Sequence, residues 1–309
     1  MDNKEGNSRK YEKQIMFKYS DYTTFFEKCV VHFKGDFRID YELEFDDCKV
    51  VFDGKITCSK NIKFKNCEVI FGEIPKPTGF FAYPSLPTDP DISHQRYIIQ
   101  EFDEKISVEF IDCDIYQEDF QSINKRAIRD NIGPIIELYD GDIILVNCDI
   151  KNVVDLIDAR ESSLIYIDRC IFQKCKGVII DHSLSEPNGE IIIKDSLFKE
   201  IKFVERYKNP LFWGDKKEKL IYLNGYYNMI SNCKFENGSE ALISTSNDGY
   251  TLIEECDFSS SVCVDEAGVY PIVYTYGDTD IIDCEFKDSS KDIIKEEGEL
   301  DITNLTLVQ

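Results

Sequence analysis

Apolar and polar residues alternate along this chain in short runs, and the runs come in threes. Around Cys113 they read YIIQEF (97–102), ISVEFID (106–112) and CDIY (113–116). Around Cys148 they read IIELY (135–139), IILVN (143–147) and CDIKN (148–152). A period of two predicts β-strands whose alternate side chains face a core and the solvent. The runs are too short for a sandwich. The polar corners between them leave no room for the crossover helices that parallel strands in one flat sheet require.

One phrase organises the runs: apolar, x, polar, Cys, x, apolar. It reads FDDCKV (45–50), FKNCEV (64–69), FIDCDI (110–115), LVNCDI (145–150), IDRCIF (167–172), ISNCKF (230–235), IEECDF (253–258) and IIDCEF (281–286). Cys29 in FFEKCVV begins the series, and Ser196 in IKDSLF and Leu305 in ITNLTL fill the cysteine place in two further copies. A recurring unit of this length is the signature of a solenoid. The expected fold is all-β: a parallel β-helix of about eleven coils, three strands to a coil, stacked at ~4.8 Å. Parallel stacking then sets the marker residues into one interior ladder, a place suited to a small, soft, apolar thiol. The residue before the marker is mostly Asn or Asp: Asp47, Asn66, Asp112, Asn147, Asp195, Asn232, Asp283 and Asn304. Both types tolerate unusual corner backbone and can hydrogen-bond along a stack.

Such repeats, with their Asn-Cys-x-Phe phrase (NCKF at 232–235), resemble those of the right-handed parallel β-helix, or pectate-lyase-like, superfamily. The resemblance covers about Phe25 to Leu307. It implies a right-handed solenoid and leaves function open, because that superfamily holds lyases, glycoside hydrolases, tailspikes, adhesins and non-catalytic scaffolds.

The expected organisation is an N-terminal cap segment over 1–24, then a single β-helix domain over 25–309. Insertions near 72–96, 117–133, 203–218 and 259–270 all fall after the marker strand and before the next coil's first strand. The second of them has the pattern of a short helix from about Phe120 to Arg129. Insertions on one edge of a solenoid often build its binding face. Phe80, Phe81, Tyr83 and Trp213 lie in these loops, and Tyr222 and Tyr274 lie on the strands that follow. Aromatics there suit sugar stacking or a protein interface, or they cover the solenoid's own edge. The last coil ends at TLVQ with no cap in view, which predicts an end-to-end homodimer, a partner or a longer native chain.

Charge narrows the partners. The chain carries 59 acidic and 36 basic side chains, a formal net charge of −23. Direct binding to phosphate backbones is disfavoured, whereas a basic protein partner is attracted. Residues 1–18 are polar and lack an apolar signal region, and no apolar run is long enough to span a bilayer. With most of the 12 cysteines in equivalent repeat places, the expectation is reduced thiols in a cytoplasmic protein. The off-ladder residues Cys58, Cys175 and Cys263 read as core.

For chemistry, alternation places Glu137, Asp155 and Asp181 outward on three successive coils, with Tyr222 on the next. Carboxylates ~4.8 Å apart on neighbouring coils bracket what glycosidases use, or what a Ca²⁺ site in a lyase-like protein accepts. Arg160 and His182 lie nearby in sequence. Against an enzyme, the polygalacturonase-type and pectate-lyase-type motif sets of the superfamily are absent. His32, His94 and His182 fall on separate coils, so no metal or other cofactor is expected. The leading expectation is a non-catalytic acidic interaction protein of inhibitor, immunity or anti-defence type. The alternative is a carbohydrate-active enzyme (polysaccharide lyase or glycoside hydrolase) or glycan binder using the three carboxylates.

Overall fold

The computed structural model describes residues 8–12, 23–35, 37–54, 56–72, 98–100, 105–118, 135–138, 140–159, 164–177, 179–182, 189–201, 221–237, 243–245, 249–259, 264–265, 268–269, 273–275, 277–287, 294–296 and 299–308. These residues form a parallel β-helix with three faces. Each complete coil adds one strand to a ten-stranded first face, one to an eleven-stranded second face and one to a twelve-stranded third face, in that chain order. In the Cys148 coil the three strands are Ile136–Leu138, Gly141–Val146 and Asp149–Lys151. The twelfth strand of the third face is Ser8–Glu12, which pairs in parallel with Val30–Lys34 ahead of the first coil.

The alternation read from the sequence is the alternation observed. Ile106–Ile111 and Gly141–Val146 each bury every second residue, and Val108 pairs with Ile143 while Phe110 pairs with Leu145. The interior is built as ladders of like side chains. Phe45, Phe64 and Phe110 stack at 5.0 and 4.7 Å between ring centres on the second face. Phe172, Phe198, Phe235, Phe258 and Phe286 stack at 4.6 to 4.8 Å on the third. Offset stacking of this kind adds to the burial of the rings themselves.

The marker cysteines stand above one another as free thiols, from half-buried Cys29 through buried Cys48, Cys67, Cys113, Cys148, Cys170, Cys233, Cys256 and Cys284. The sulfurs of Cys48, Cys67, Cys148, Cys233, Cys256 and Cys284 each lie within reach of two carbonyls, one two residues back and one on the coil before, as Cys148 does with Val146 and Phe110 at 3.3 Å each. Ser196 occupies the same slot, with its hydroxyl donating to the Lys194 carbonyl at 2.7 Å and accepting from the Cys170 amide at 3.1 Å. Cys58 and Cys175 are buried core residues off the ladder; Cys263 lies outside the described residues.

All eleven residues that precede a marker have positive φ, between 49° and 57°. This left-handed backbone turns the chain from the second face to the third, and it is the reason Asn and Asp are favoured there. The side-chain amide of Asn147 donates to Asp112 at 2.6 Å, Asn232 to Asp195 at 2.5 Å and Asn304 to Asp283 at 2.7 Å. A second left-handed corner, four residues after the marker, holds Asn152, Lys174, Glu200 and Asn237.

The longest connections join a third-face strand to the next first-face strand, as between Phe71 and Ile98, Gln117 and Ile136, and Lys199 and Ile221. Of the fourth, Val264–Asp265 and Gly268–Val269 form an antiparallel pair. The helix expected over Phe120–Arg129 lies outside the described residues. No helix among the described residues is long and apolar enough to cross a membrane.

Candidate functional site

The candidate carboxylates belong to the first face, and its register decides which of them meet. Ile136–Leu138 pairs with Ile157–Ala159, so Glu137 lies beside Asp158. Ile157–Ala159 pairs with Ile180–Asp181, so Asp158 lies beside Asp181, and Asp181 lies beside Tyr222. The flanking Ile136, Leu138, Ile157, Ala159, Ile180, Ile221 and Leu223 all point into the core and are buried. The outward row is therefore Glu137, Asp158, Asp181 and Tyr222, and Ser244 and Tyr274 hold the next two register positions.

Asp155 is not in that row. The strand starts at Ile157, later than the alternation in VVDLIDAR predicts. Val153, Val154, Asp155, Leu156 and Ile157 are all buried, and Asp155 has φ 47° at the corner ahead of the strand. Its amide donates to the Lys176 carbonyl at 3.0 Å, and Val154 bridges Lys176 in parallel. A corner residue interrupts the period of two, so the outward place passes three residues on, to Asp158. The sequence did not mark the difference, because VDL (154–156) and IDA (157–159) both match the apolar-acid-apolar IEL of the previous coil.

Burial separates the members of the row. Glu137 is 0% exposed although it faces away from the core, whereas Asp158, Asp181 and Tyr222 are partly exposed. His182 sits one place beyond Asp181, on the inward side, and is also 0% exposed. Adjacent strands bring Asp158 and Asp181 to a backbone separation of ~4.8 Å. Among the described residues no group of three or more His, Cys, Asp and Glu side chains is arranged to hold a metal ion.

Phe80, Phe81, Tyr83, Trp213 and Arg160 lie outside the described residues, and of Tyr274 only the strand position is described. The register thus sets Glu137, Asp158, Asp181 and Tyr222 on successive strands of the first face, with Glu137 buried and Asp155 at the corner ahead of that face.

No family model matches the chain, and no curated protein is significantly similar to it.

Proposed function

We propose that this protein is a non-catalytic, acidic β-helix that binds a basic protein partner, acting as an inhibitor, immunity or anti-defence factor in the cytoplasm. The observation that carries this reading is the burial of two of the three candidate catalytic carboxylates, with only Asp181 left partly exposed. Glu137 is 0% and Asp155 4% exposed, so neither carboxylate reaches a substrate. Meanwhile a net charge of −23 spread over a rigid solenoid attracts cationic surfaces and speeds encounter with them. Membership of the pectate-lyase-like superfamily is part of the proposal and is compatible with a scaffold without catalysis.

The test is binding and hydrolysis measured on the same preparation. A basic protein from the native cell is expected to be retained at physiological salt and released as ionic strength rises. A polysaccharide panel is expected to yield no new reducing or unsaturated ends. Degradation of any glycan, abolished by Asp158→Asn or Asp181→Asn, would overturn this reading.

One observation favours a carbohydrate-active alternative. Asp158 and Asp181 are partly exposed neighbours beside Tyr222, and a pair of carboxyls ~5 Å apart is what a retaining glycosidase uses. In that case the panel gives product and no protein is retained.

A further inference from the structure

Part of the outward side of the second face is apolar, on a chain of net charge −23. The inward residues of its strands are the buried core: Ile143, Ile165, Ile191, Ile230 and Ile253 among them. Their outward neighbours in the central row are Ile144, Tyr166, Ile192, Met229 and Leu252, aligned strand to strand on five successive coils. All five are partly exposed. The row is interrupted at one end by Glu109, which pairs with Ile144 in register, and at the other by Asp280, which pairs with Leu252. Four strand spacings make the stripe about 19 Å long. A contiguous apolar stripe on the outside of a strongly charged protein marks an interaction surface.

What surrounds the stripe defines its occupant. The row on one side carries Asp142, Glu190 and Asp278, with Leu164, Tyr227 and Tyr250 between them. The row on the other side carries Asp168, Lys194 and Glu254. Arg169 pairs with Asp168 at 3.2 Å, and Lys105 stands 3.9 Å from Asp142, so Glu190, Glu254 and Asp278 carry most of the rim's negative charge. Lys194 is itself drawn in over the Tyr166 ring, at 5.3 Å. The Tyr250 hydroxyl donates to Asp280 at 2.7 Å and its ring stacks on Tyr227. An apolar centre with a carboxylate rim is complementary to an apolar strip flanked by Lys and Arg. Self-association through this face sets two chains of charge −23 against each other. A glycan needs a denser set of hydrogen-bonding groups than is offered by a central row in which four of five side chains are Ile, Met or Leu.

We infer that the outward face of the second sheet, centred on Ile192 and Met229, docks a basic amphipathic helix of a protein partner. This deepens the proposed function and rests on it. A helix lying along the stripe needs about thirteen residues to cover it, at 1.5 Å per residue. Its apolar edge meets the central row while its flanking cations meet the carboxylates on both sides. This is helix recognition on a sheet surface, read through residues three and four apart.

The probe is a helical Leu/Lys peptide of about fourteen residues, compared with an isomer of the same composition whose leucines are scattered around the helix. The amphipathic peptide is expected to bind about tenfold or more tightly than its isomer. Ile192→Asp with Met229→Asp is expected to remove that advantage, although it adds two negative charges that would strengthen attraction by charge alone. Ile192→Thr with Met229→Thr, which keeps strand propensity, is expected to do the same with an unchanged melting temperature. Equal binding of both peptides, unaffected by either variant, overturns the docking stripe while leaving the acidic-binder reading intact. Binding of neither peptide, nor of any basic protein, overturns both. Sedimentation as a dimer that the Thr variant dissociates would make the occupant a second copy and overturn the basic partner.

Discussion

A Cβ built on Gly177 would stand 2.1 Å from the Asp155 carboxylate oxygen Oδ1. Gly177 also has φ 74°, a conformation that L side chains adopt at a steric cost. The two residues occupy adjacent coils at the corner that leads into the first face, where the Asp155 amide is bonded to Lys176. Asp155 is thus a corner residue, and its neighbour has to be glycine. Gly177→Ala is expected to destabilise the protein by about 1–2 kcal/mol from backbone strain, with the close contact added. Urea unfolding checks it; a variant as stable as the parent would refute the assigned role.

The stack of Asn147 on Asp112, at 2.6 Å with φ 54° at both, separates two contributions. Asn147→Gly keeps the left-handed corner and loses a hydrogen bond, a change of about 0.5–1.5 kcal/mol. Asn147→Val keeps neither and is expected to lose more, by at least about 1 kcal/mol over the glycine variant. The order of the two urea midpoints is the readout.

Phe198 lies between Phe172 and Phe235, with ring centres 4.6 and 4.8 Å away, and is 1% exposed. Phe198→Ala opens a gap in a continuous ladder that neighbouring coils cannot close without breaking register. The expected loss is about 3–5 kcal/mol, seen as a fall in the denaturation midpoint.

The thiols set a limit at high pH. Burial pushes Cys175 from the usual 9.0 up to about 12. A hydrogen bond with Cys148, together with burial, pushes Cys113 up to about 12 as well. In the unfolded chain these thiols ionise near 9.0, while the folded state holds their protons. Stability is therefore intact below pH 9 and falls as pH climbs from there toward about 12, by about 1.4 kcal/mol per pH unit for each such thiol. Urea midpoints at pH 8 and 10.5 measure the slope. At neutral pH half-buried Cys29 is expected to react with a thiol reagent before the buried Cys175 does.

Much of the fold was legible because its causes are local and repeated. A period of two marks the strands, a small residue marks the ladder, and Asn or Asp marks the left-handed corner. Reading each of these requires only neighbours in sequence, and eleven copies make the register self-consistent. The candidate site was legible in part. Glu137, Asp181 and Tyr222 share a row because their coils repeat the same strand pattern. Asp155 failed because a left-handed corner shifts alternation within a few residues, and hydropathy does not show where a corner ends and a strand begins.

The sequence by itself determined the parallel β-helix, the ordering of the cysteine ladder and the negative charge of the whole. Only the tertiary structure decided which residues of successive coils touch. It set Asp158 between Glu137 and Asp181, closed Glu137 off from solvent, and aligned Ile144, Tyr166, Ile192, Met229 and Leu252 into one outward stripe. Those residues are 22 to 37 positions apart in sequence, from Ile144 to Tyr166 and from Ile192 to Met229. The physical reason is that a solenoid converts sequence distance into lateral contact through its hydrogen-bonded register, so a face of the protein exists only once the coils are stacked.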